Sequence, residues 1–393
     1  MGIKLASGNQ QPGPQGQRPF NTQAPFGAPQ QQQQDPTKTW FRRILTWSRW
    51  SLAGITLFYA LGIVLYVLLV EYDAEDHHLT SVAMYMPQFY LLLPLLILTP
   101  LCLLIWARLI LIHLLVVAGV AFFFMDYVWS GPRIAAGPTV SVVVNNIGQS
   151  HGKSIMPFVK EHEADIVVLS DAVAQGLKYK KAFEEEYGKI HYIRGDHQFL
   201  IISKYPIVNG GLLDMQDERG DPIAAWYEVD VNGYHIYVFA LHLPTPRDEL
   251  NAVRGFAFLG TLTARLGKEG HATEVYKRGK EFFAHQLALG EKMVEFTKEA
   301  DKPFIVCGDF NVPTHGKTYH LFKRNWVEAF AAAGKGYGYT FPGDAKFPPW
   351  LRLDNIYCSH EGLTPVTAVA ESGRSSQHRS MFAEFEMPVQ RVD

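Results

Sequence analysis

The stretch FIVCGDFNVP, residues 304–313, decides the fold, because in it an apolar run gives way to a glycine and two polar side chains. Phe304 to Val306 has the pattern of a buried strand, and Asp309 and Asn311 follow it two positions apart. Residues at i and i+2 of an extended chain point to the same side, so these two side chains are expected to share one face. Gly, Asp and Asn are also the usual turn residues. Taken alone, the stretch is consistent with a turn or with reactive groups at the end of a strand.

Short β-rich runs make up much of the chain after residue 139, and helical patterns separate them. Several runs, such as IVVLS and YVFAL, are almost continuously apolar, as expected for strands that are covered on both faces. Strands and helices mixed in this way indicate the α/β class, arranged as a layered α/β sandwich. We therefore predict a globular domain over residues 139–390, preceded by a linker at 130–138. Its helical patterns lie at about 153–162, 176–187, 249–266 and 273–299.

Polar side chains of matching chemical type stand at the ends of these runs. They are Asn146, Asp171, His242, Asp309, Asp354 and His378. A single polar residue after a strand usually marks a turn, and each of these residues taken alone could mark one. Six of them indicate that these strand ends lie together at one rim of the fold. Carboxylates, carboxamides and imidazoles that converge beside a sheet suit a hard divalent cation and an anionic, oxygen-rich substrate.

With these motifs in order, the chain resembles the endonuclease/exonuclease/phosphatase superfamily, which has the deoxyribonuclease-I-like fold. The resemblance covers residues 139–389, and its most specific piece is Gly308-Asp309-Phe310-Asn311. A second piece is YTFPGDAKFPPWLRLDNIYCS, residues 339–359, which looks like the Thr-x-Pro segment and Arg-x-Asp strand of membrane-tethered bacterial members. The resemblance implies a two-sheet α/β sandwich that hydrolyses phosphoesters.

The resemblance also implies a role for each candidate catalytic residue. Asp309 would orient and deprotonate the attacking water, and Asn311 would hold that water or a phosphate oxygen. His242 matches the family's hydrogen-bond donor to the phosphoryl group. His378 resembles the catalytic histidine, and Asp354 would fix its tautomer. A carboxylate on one imidazole nitrogen stabilises the cation, which can then offset charge that develops on phosphate.

A divalent metal, Mg²⁺ or Mn²⁺, is the cofactor that the resemblance implies, with Asn146 and Asp171 as ligands. Asp171 stands where the family usually has the glutamate of a Leu-Gln-Glu sequence, and Gln377 stands where the terminal Ser-Asp-His has its aspartate. Magnesium is held chiefly by charge in a near-octahedral shell. The shorter side chain of Asp171 and the neutral amide of Gln377 should therefore weaken magnesium binding. We expect the affinity for metal to rise when a phosphoester supplies negative charge.

These departures keep two hypotheses open. The first is a membrane-anchored, divalent-metal-dependent phosphoester hydrolase: a phosphodiesterase, nuclease or phosphatase. The second is a catalytically impaired phosphoester-binding or sensor domain coupled through the membrane. The substrate is open among a lipid headgroup, a nucleic acid and a small molecule, since fold alone does not choose among them. A net charge of -2 gives no nucleic-acid signature, and no obligate protein partner is inferred.

The N-terminal part of the chain predicts a membrane anchor. Residues 1–39 are rich in Gln, Pro and Gly and are expected to form a disordered tail. Residues 40–129 contain three apolar stretches that suit transmembrane helices, at about 51–70, 84–106 and 109–128. The lipid bilayer is therefore a predicted partner of this protein.

The charges that flank the first apolar stretch predict the orientation of the anchor. Arginines precede the stretch and carboxylates follow it, which places the N-terminus in the cytoplasm by the positive-inside bias. Three crossings would then place the C-terminal domain in the periplasm or outside the cell, with the anchor in the inner (cytoplasmic) membrane. A re-entrant third stretch would return the domain to the cytoplasm. The residues concerned are Arg42, Arg43 and Arg49 before the stretch, and Glu71, Asp73, Glu75 and Asp76 after it.

Overall fold

The structure, a computed structural model, describes residues 36–148, 154–172, 176–187, 192–252, 271–344, 348–373 and 377–389. Residues 1–35 of the predicted tail and residues 253–266 of the predicted helical pattern 249–266 lie outside the described residues. The chain divides into two compact units, residues 1–50 and 51–393. The sheets and the candidate site belong to the second unit.

Three helical stretches are long and apolar enough to cross a membrane: Thr39–Asp76, Gln88–Ile105 and Ala107–Phe124. The first contains most of α1, which spans Pro36–Asp73 and so begins inside the segment assigned to the tail. The second begins at Gln88 and not at residue 84, because Pro87 interrupts the helical backbone after α2 (His78–Met84). The third ends in a π-helical turn at Gly119–Phe124, before the predicted end at residue 128.

The other helices and the strands follow in chain order. The helices are α3 (Leu95–Ile105), α4 (Ile110–Ala118), α5 (Met156–Glu161), α6 (Gly176–Tyr187), α7 (Arg247–Ala252), α8 (His271–Lys298), α9 (Gly316–Asn325) and α10 (Ala329–Ala333). The strands are β1 (Thr139–Asn146), β2 (Ile166–Ser170), β3 (Tyr192–Asp196), β4 (Phe199–Ser203), β5 (Ile207–Leu212), β6 (Ala224–Val231), β7 (Tyr234–His242), β8 (Phe304–Asp309), β9 (Val327–Glu328), β10 (Asp354–Cys358), β11 (Thr364–Ala370) and β12 (Met381–Glu386).

The strands form two six-stranded mixed sheets, which confirms the predicted two-sheet α/β sandwich. The first sheet has the order β11-β12-β1-β2-β4-β3, and the second has the order β5-β6-β7-β8-β10-β9. In β1, Val142 and Val144 face a core that also contains Ile305 of the second sheet. Val143, on the opposite face of β1, packs with Phe183 of α6. Both faces of β1 are therefore buried, which explains its almost continuous apolar run.

A segment that we call the helical segment, residues 51–126, shares a hydrophobic cluster with the globular domain. Met84, Tyr85 and Phe124 of this segment are buried together with Phe283 of α8 and Leu353, which precedes β10. Burying one large apolar side chain stabilises a fold by about 1.5–3 kcal/mol. The packing of the helical segment therefore contributes to the stability of the domain that follows it.

Buried polar contacts fix the same interface. Glu75, which is 3% exposed, accepts the backbone N–H groups of Lys317 and Thr318 at 2.9 and 2.8 Å. These N–H groups begin α9 and have no partner within that helix. Gly316, at φ 83°, leaves room for the carboxylate, because a Cβ atom there would lie 2.8 Å from Glu75 Oε1. A distant carboxylate thus stabilises the start of α9.

The loop between β8 and α9 is also held by the helical segment. Tyr85 donates its hydroxyl to the carbonyl oxygen of Asn311 at 2.8 Å. The Nδ1 atom of His315 lies 2.7 Å from Glu71 Oε1. The Nε2 atom of His315 lies 3.0 Å from the side-chain nitrogen of Gln88. The loop that carries Asn311 is therefore positioned by side chains from outside the sandwich.

Candidate active site

Three candidate residues lie side by side at one edge of the second sheet. Asp309 ends β8, His242 ends the parallel strand β7, and Asp354 begins the antiparallel strand β10. The strand register pairs Asp309 with His242 on one side and with Asp354 on the other. Because neighbouring strands are about 4.8 Å apart, this register brings the three side chains to one rim.

Gly308 allows β8 to lie close to β7 just before Asp309. Its φ is 143°, and a Cβ atom at this position would lie 2.0 Å from the carbonyl oxygen of Leu241. A side chain cannot be accommodated at that distance, so the glycine of the Gly-Asp-Phe-Asn motif is required by the backbone.

Asn146 brings the first sheet into the site. Its Nδ2 donates to Asp309 Oδ2 at 2.9 Å and lies 3.5 Å from His242 Nε2, while its Oδ1 accepts the N–H of Gly148 at 2.9 Å. Asn145 is also buried, and its Nδ2 donates to the carbonyl oxygen of His378 at 3.4 Å. Asn146, and not its neighbour, is therefore the asparagine whose side chain contacts Asp309.

His378 and Asp354 form a buried pair at the same rim. His378 Nδ1 lies 2.8 Å from Asp354 Oδ2, and its Nε2 lies 3.7 Å from Asp309 Oδ2. Burial lowers the pKa of His378, but the carboxylates of Asp354 and Asp309 outweigh it and raise the pKa to about 9. Burial also raises the pKa of Asp354. We place the proton of the pair on His378, since its cation faces two carboxylates.

Asn311 is held rigidly beside Asp309. Its backbone has φ 49°, a conformation that asparagine adopts more readily than most residues. Its N–H donates to Asp309 Oδ1 at 2.9 Å, and its Nδ2 donates to the carbonyl oxygen of Leu243 at 2.9 Å. The second amide hydrogen of Asn311 can donate to a water or to a phosphate oxygen, and its side-chain oxygen can accept a hydrogen bond from a water.

Gln198 orients His242, and the sequence did not single it out. The side-chain oxygen of Gln198 lies 2.5 Å from His242 Nδ1, and its Nε2 donates to the carbonyl oxygen of Pro222 at 2.7 Å. Because an amide oxygen only accepts, His242 carries a proton on Nδ1. His242 can then donate from Nε2 only when the ring is cationic. A single glutamine before a strand does not form a sequence pattern that indicates this role.

Asp171 and Gln377 line the same cleft as the residues above. Asp171 follows β2 with φ 54° and is half-buried. The side-chain oxygen of Gln377 lies 3.4 Å from the position that a Cβ atom on Gly148 would occupy, in the turn after Asn146. Within the described part of the chain, the tight group of acidic and histidine atoms contains Asp309, Asp354 and His378, all within 4.8 Å, and does not include Asp171.

The donor set at this rim suits a hard cation. Asn146, Asp171 and Gln377 offer amide and carboxylate oxygens, which are the atoms that Mg²⁺ prefers. The Asp354 and His378 atoms are less available, because a metal bound between them would break their 2.8 Å contact. The oxygens on the side of the first sheet therefore fit a divalent metal better than the buried acid and imidazole pair does.

A two-sheet α/β sandwich with acidic, amide and imidazole side chains at one rim defines a deoxyribonuclease-I-like protein. The sequence profile of the Endonuclease/Exonuclease/phosphatase family matches residues 128–378, well over half of the chain. The chain therefore belongs to this family, whose members hydrolyse phosphoester bonds. The resemblance inferred from the motifs is confirmed.

Solved structures show similarity at low sequence identity. The catalytic domain of human Nocturnin with bound sulfate is 16% identical, with a TM-score of 0.43, over 65% of this chain and 97% of that one. Truncated TDP2 of Caenorhabditis elegans is 17% identical, with a TM-score of 0.43, over 63% and 98%. A mannosyl-6-phosphatase of Bacteroides thetaiotaomicron is 17% identical, with a TM-score of 0.43, over 63% and 99%. No curated protein matches the chain.

Proposed function

We propose that the protein is a membrane-anchored, divalent-metal-dependent phosphoester hydrolase whose catalytic domain lies outside the cytoplasm. The observation that carries this proposal is the environment of Asp309. Its Oδ2 atom lies 2.9 Å from Asn146 Nδ2, 3.7 Å from His378 Nε2 and 3.8 Å from His242 Nε2. These groups come from both sheets and from widely separated parts of the chain.

Asp309 and the residues around it can each perform a separate role in hydrolysis. Asp309 accepts the proton of an attacking water, and Asn311 holds that water or a phosphate oxygen in place. His378, kept cationic by Asp354, offsets the charge that develops on the phosphoryl oxygens. His242, when protonated, donates a further hydrogen bond from Nε2. All of these groups belong to rigid strand ends or to the loops that directly follow them.

Asn146, Asp171 and Gln377 are the residues that would hold Mg²⁺ or Mn²⁺. The metal would polarise a phosphoryl oxygen and stabilise the leaving group. Asp171 would supply the only charge among these three ligands, so phosphate oxygens of the substrate would complete the charge balance. Metal and phosphoester are therefore expected to bind together more tightly than either binds alone.

The contacts of the helical segment support an extracytoplasmic domain. Glu71 and Glu75 follow the first apolar stretch, and both contact the globular domain that follows the third. These contacts favour a topology in which the connection after the first crossing and the globular domain lie on the same side of a membrane. Three full crossings give this topology, whereas a re-entrant third stretch does not. The positive-inside bias of the preceding arginines then assigns that side to the periplasm or the exterior.

The neutral Gln377 favours a second candidate, in which the domain binds phosphoesters without hydrolysing them. Its amide would then serve as a ligand-binding group in a site that lacks the charge to retain a metal. This version predicts phosphoester binding that is insensitive to metal.

The proposed hydrolysis is tested with the purified full-length protein on a panel of phosphomonoesters and phosphodiesters with Mg²⁺ or Mn²⁺. Asp309→Asn is expected to lower kcat about 10³-fold, since removal of a general base typically costs 10²–10⁴-fold. His378→Gln is expected to lower it about 10²-fold. A chelator should abolish turnover.

Asp301→Asn is the matched control, because Asp301 has a side chain 74% exposed and lies away from the cleft. Its turnover should equal that of the parent protein. Binding of phosphoesters without turnover, unchanged by chelator, would contradict the proposal and support the binding domain.

A further inference from the structure

We propose that the substrate is an amphipathic phosphoester, with its phosphate at Asp309 and His378 and its hydrocarbon tail against the helical segment. This inference rests on the proposed function and adds to it the class of substrate. It also explains why a hydrolase of this family would carry its own apolar helices beside its site.

One continuous cleft of about 1650 Å³ connects the candidate catalytic residues to the helical segment. Asp309, Asn311 and His378 line one part of this cleft. Another part is lined by Tyr66, Leu79, Val82, Ala83, Met86 and Tyr90 of the helical segment. The segment is therefore a wall of the reaction site and not only a tether.

The cleft reaches the level of the membrane-crossing stretches. Tyr66 belongs to the first such stretch, Thr39–Asp76, and Tyr90 belongs to the second, Gln88–Ile105. Tyr66 lies four residues before the end of the uncharged run 51–70, which is about 6 Å along a helix. Residues of two stretches that can cross a membrane therefore line the same cleft as the candidate catalytic residues.

Large apolar side chains are accessible on this wall. Met86 is 48% exposed and Tyr90 is 45% exposed, although both line the cleft. Phe282, Phe341 and Trp350 of the globular domain line it as well. Apolar surface of this kind is favoured when it is covered by another apolar group. The head of the substrate must carry a phosphoester, so its remaining part is the group that covers this wall.

The charges along the cleft disfavour a polyanionic substrate. The arginines in the lining are Arg219 and Arg247, and carboxylates outnumber them. Nucleic-acid sites depend on cations that neutralise many phosphates, so this lining suits one phosphoester group better than a strand. The carboxylates of the described lining are Asp171, Asp217, Glu218, Asp221, Asp248, Glu249, Asp309 and Asp344.

The test uses the full-length protein in dodecyl maltoside micelles, which contain no phosphoester, with two photoactivatable probes. One is phosphatidic acid with a diazirine in the middle of one acyl chain, and the other is diacylglycerol with the same chain and no phosphate. After irradiation, labelled residues are identified by mass spectrometry. Phosphatidic acid is expected to label Tyr66 and Met86 at least tenfold more than diacylglycerol does. Labelling of the exposed Leu96 and Leu104 should be equal for the two probes.

Two tyrosine variants provide a matched pair. Tyr90→Asp places a charge on the cleft wall and is expected to reduce the phosphatidic acid labelling of Tyr66 and Met86 at least fivefold. Tyr72→Asp places the same charge on a tyrosine that is 66% exposed and is not part of the lining, so labelling should be unchanged. Met86→Asp, followed through the labelling of Tyr66, repeats the test at a position between the crossing stretches.

Equal labelling of Tyr66 and Met86 by the two probes, or none by phosphatidic acid, would overturn the inference. If a water-soluble phosphoester is nevertheless hydrolysed in an Asp309-dependent way, the proposed function stands and only the substrate class is wrong. If phosphatidic acid labels the cleft but no phosphoester is hydrolysed, the amphipathic ligand stands and the hydrolase function fails.

Discussion

Among single residues, Asp309 shows how a carboxylate is held in one orientation at the end of a strand. Its Oδ1 accepts the N–H of Asn311, and its Oδ2 accepts Nδ2 of Asn146. One donor is a backbone N–H and the other is the side-chain amide of Asn146 at the end of β1, so rotation of the carboxylate would cost both hydrogen bonds. An asparagine at this position can present only one oxygen and would turn an N–H group towards the other donor. Loss of activity in Asp309→Asn therefore combines loss of the base with loss of this orientation.

The charge of residue 377 sets how strongly the rim can hold a cation. Gln377→Asp is expected to increase Mg²⁺ affinity at least tenfold, because a second carboxylate near a divalent ion contributes more than about 1.4 kcal/mol. Isothermal titration of the full-length protein with Mg²⁺, with and without inorganic phosphate, measures the change. Gln377→Asn shortens the arm without adding charge and should not increase affinity. A parallel gain in turnover would show that the native site is limited by its metal.

Among the secondary-structure elements, α9 depends on a residue outside its own chain neighbourhood. Glu75→Ala removes the acceptor of two backbone N–H groups, one of them buried, and is expected to lower the free energy of unfolding by about 1–3 kcal/mol. Thermal unfolding can be followed with a thiol-reactive dye, because Cys102, Cys307 and Cys358 are free and buried. A lower unfolding temperature is the expected result.

Asp76→Ala is the control for this prediction, because Asp76 pairs with Lys317 at a half-exposed position. Such surface pairs contribute at most about 1 kcal/mol. An unfolding temperature for Glu75→Ala no lower than that of Asp76→Ala would show that α9 does not need the distant carboxylate.

For the whole molecule, the proposed topology of three membrane crossings predicts that the two ends of the chain lie on opposite sides of the membrane. Asp301→Cys introduces an exposed thiol in the globular domain, and the native cysteines give little background because they are buried. A maleimide that cannot cross the inner membrane should label Asp301→Cys in spheroplasts. It should label Ser7→Cys, in the sequence before the first crossing, only after lysis. The reverse pattern would place the globular domain in the cytoplasm.

Much of the architecture could be predicted from the order of residues. Apolar runs that end in Asn146, His242 and Asp309 identify the strands and the rim, because strand periodicity and strand-end chemistry are local properties of a sequence. Length and apolar composition likewise identify helices that can cross a membrane. Strands β3, β5, β9 and β11 were not predicted. Their residues have mixed exposure and lack a continuous apolar run.

Only the tertiary structure decided how the helical segment meets the site. Tyr85 and Asn311 are 226 positions apart and share a hydrogen bond, while Gln198 orients His242 from another sheet. Such pairs leave no periodic pattern in the sequence, because each depends on how two separate elements pack against each other in the folded protein. For the same physical reason, local patterns predicted a phosphoester site and an anchor separately. The packing of the helical segment against the globular domain brings residues of both onto a single cleft.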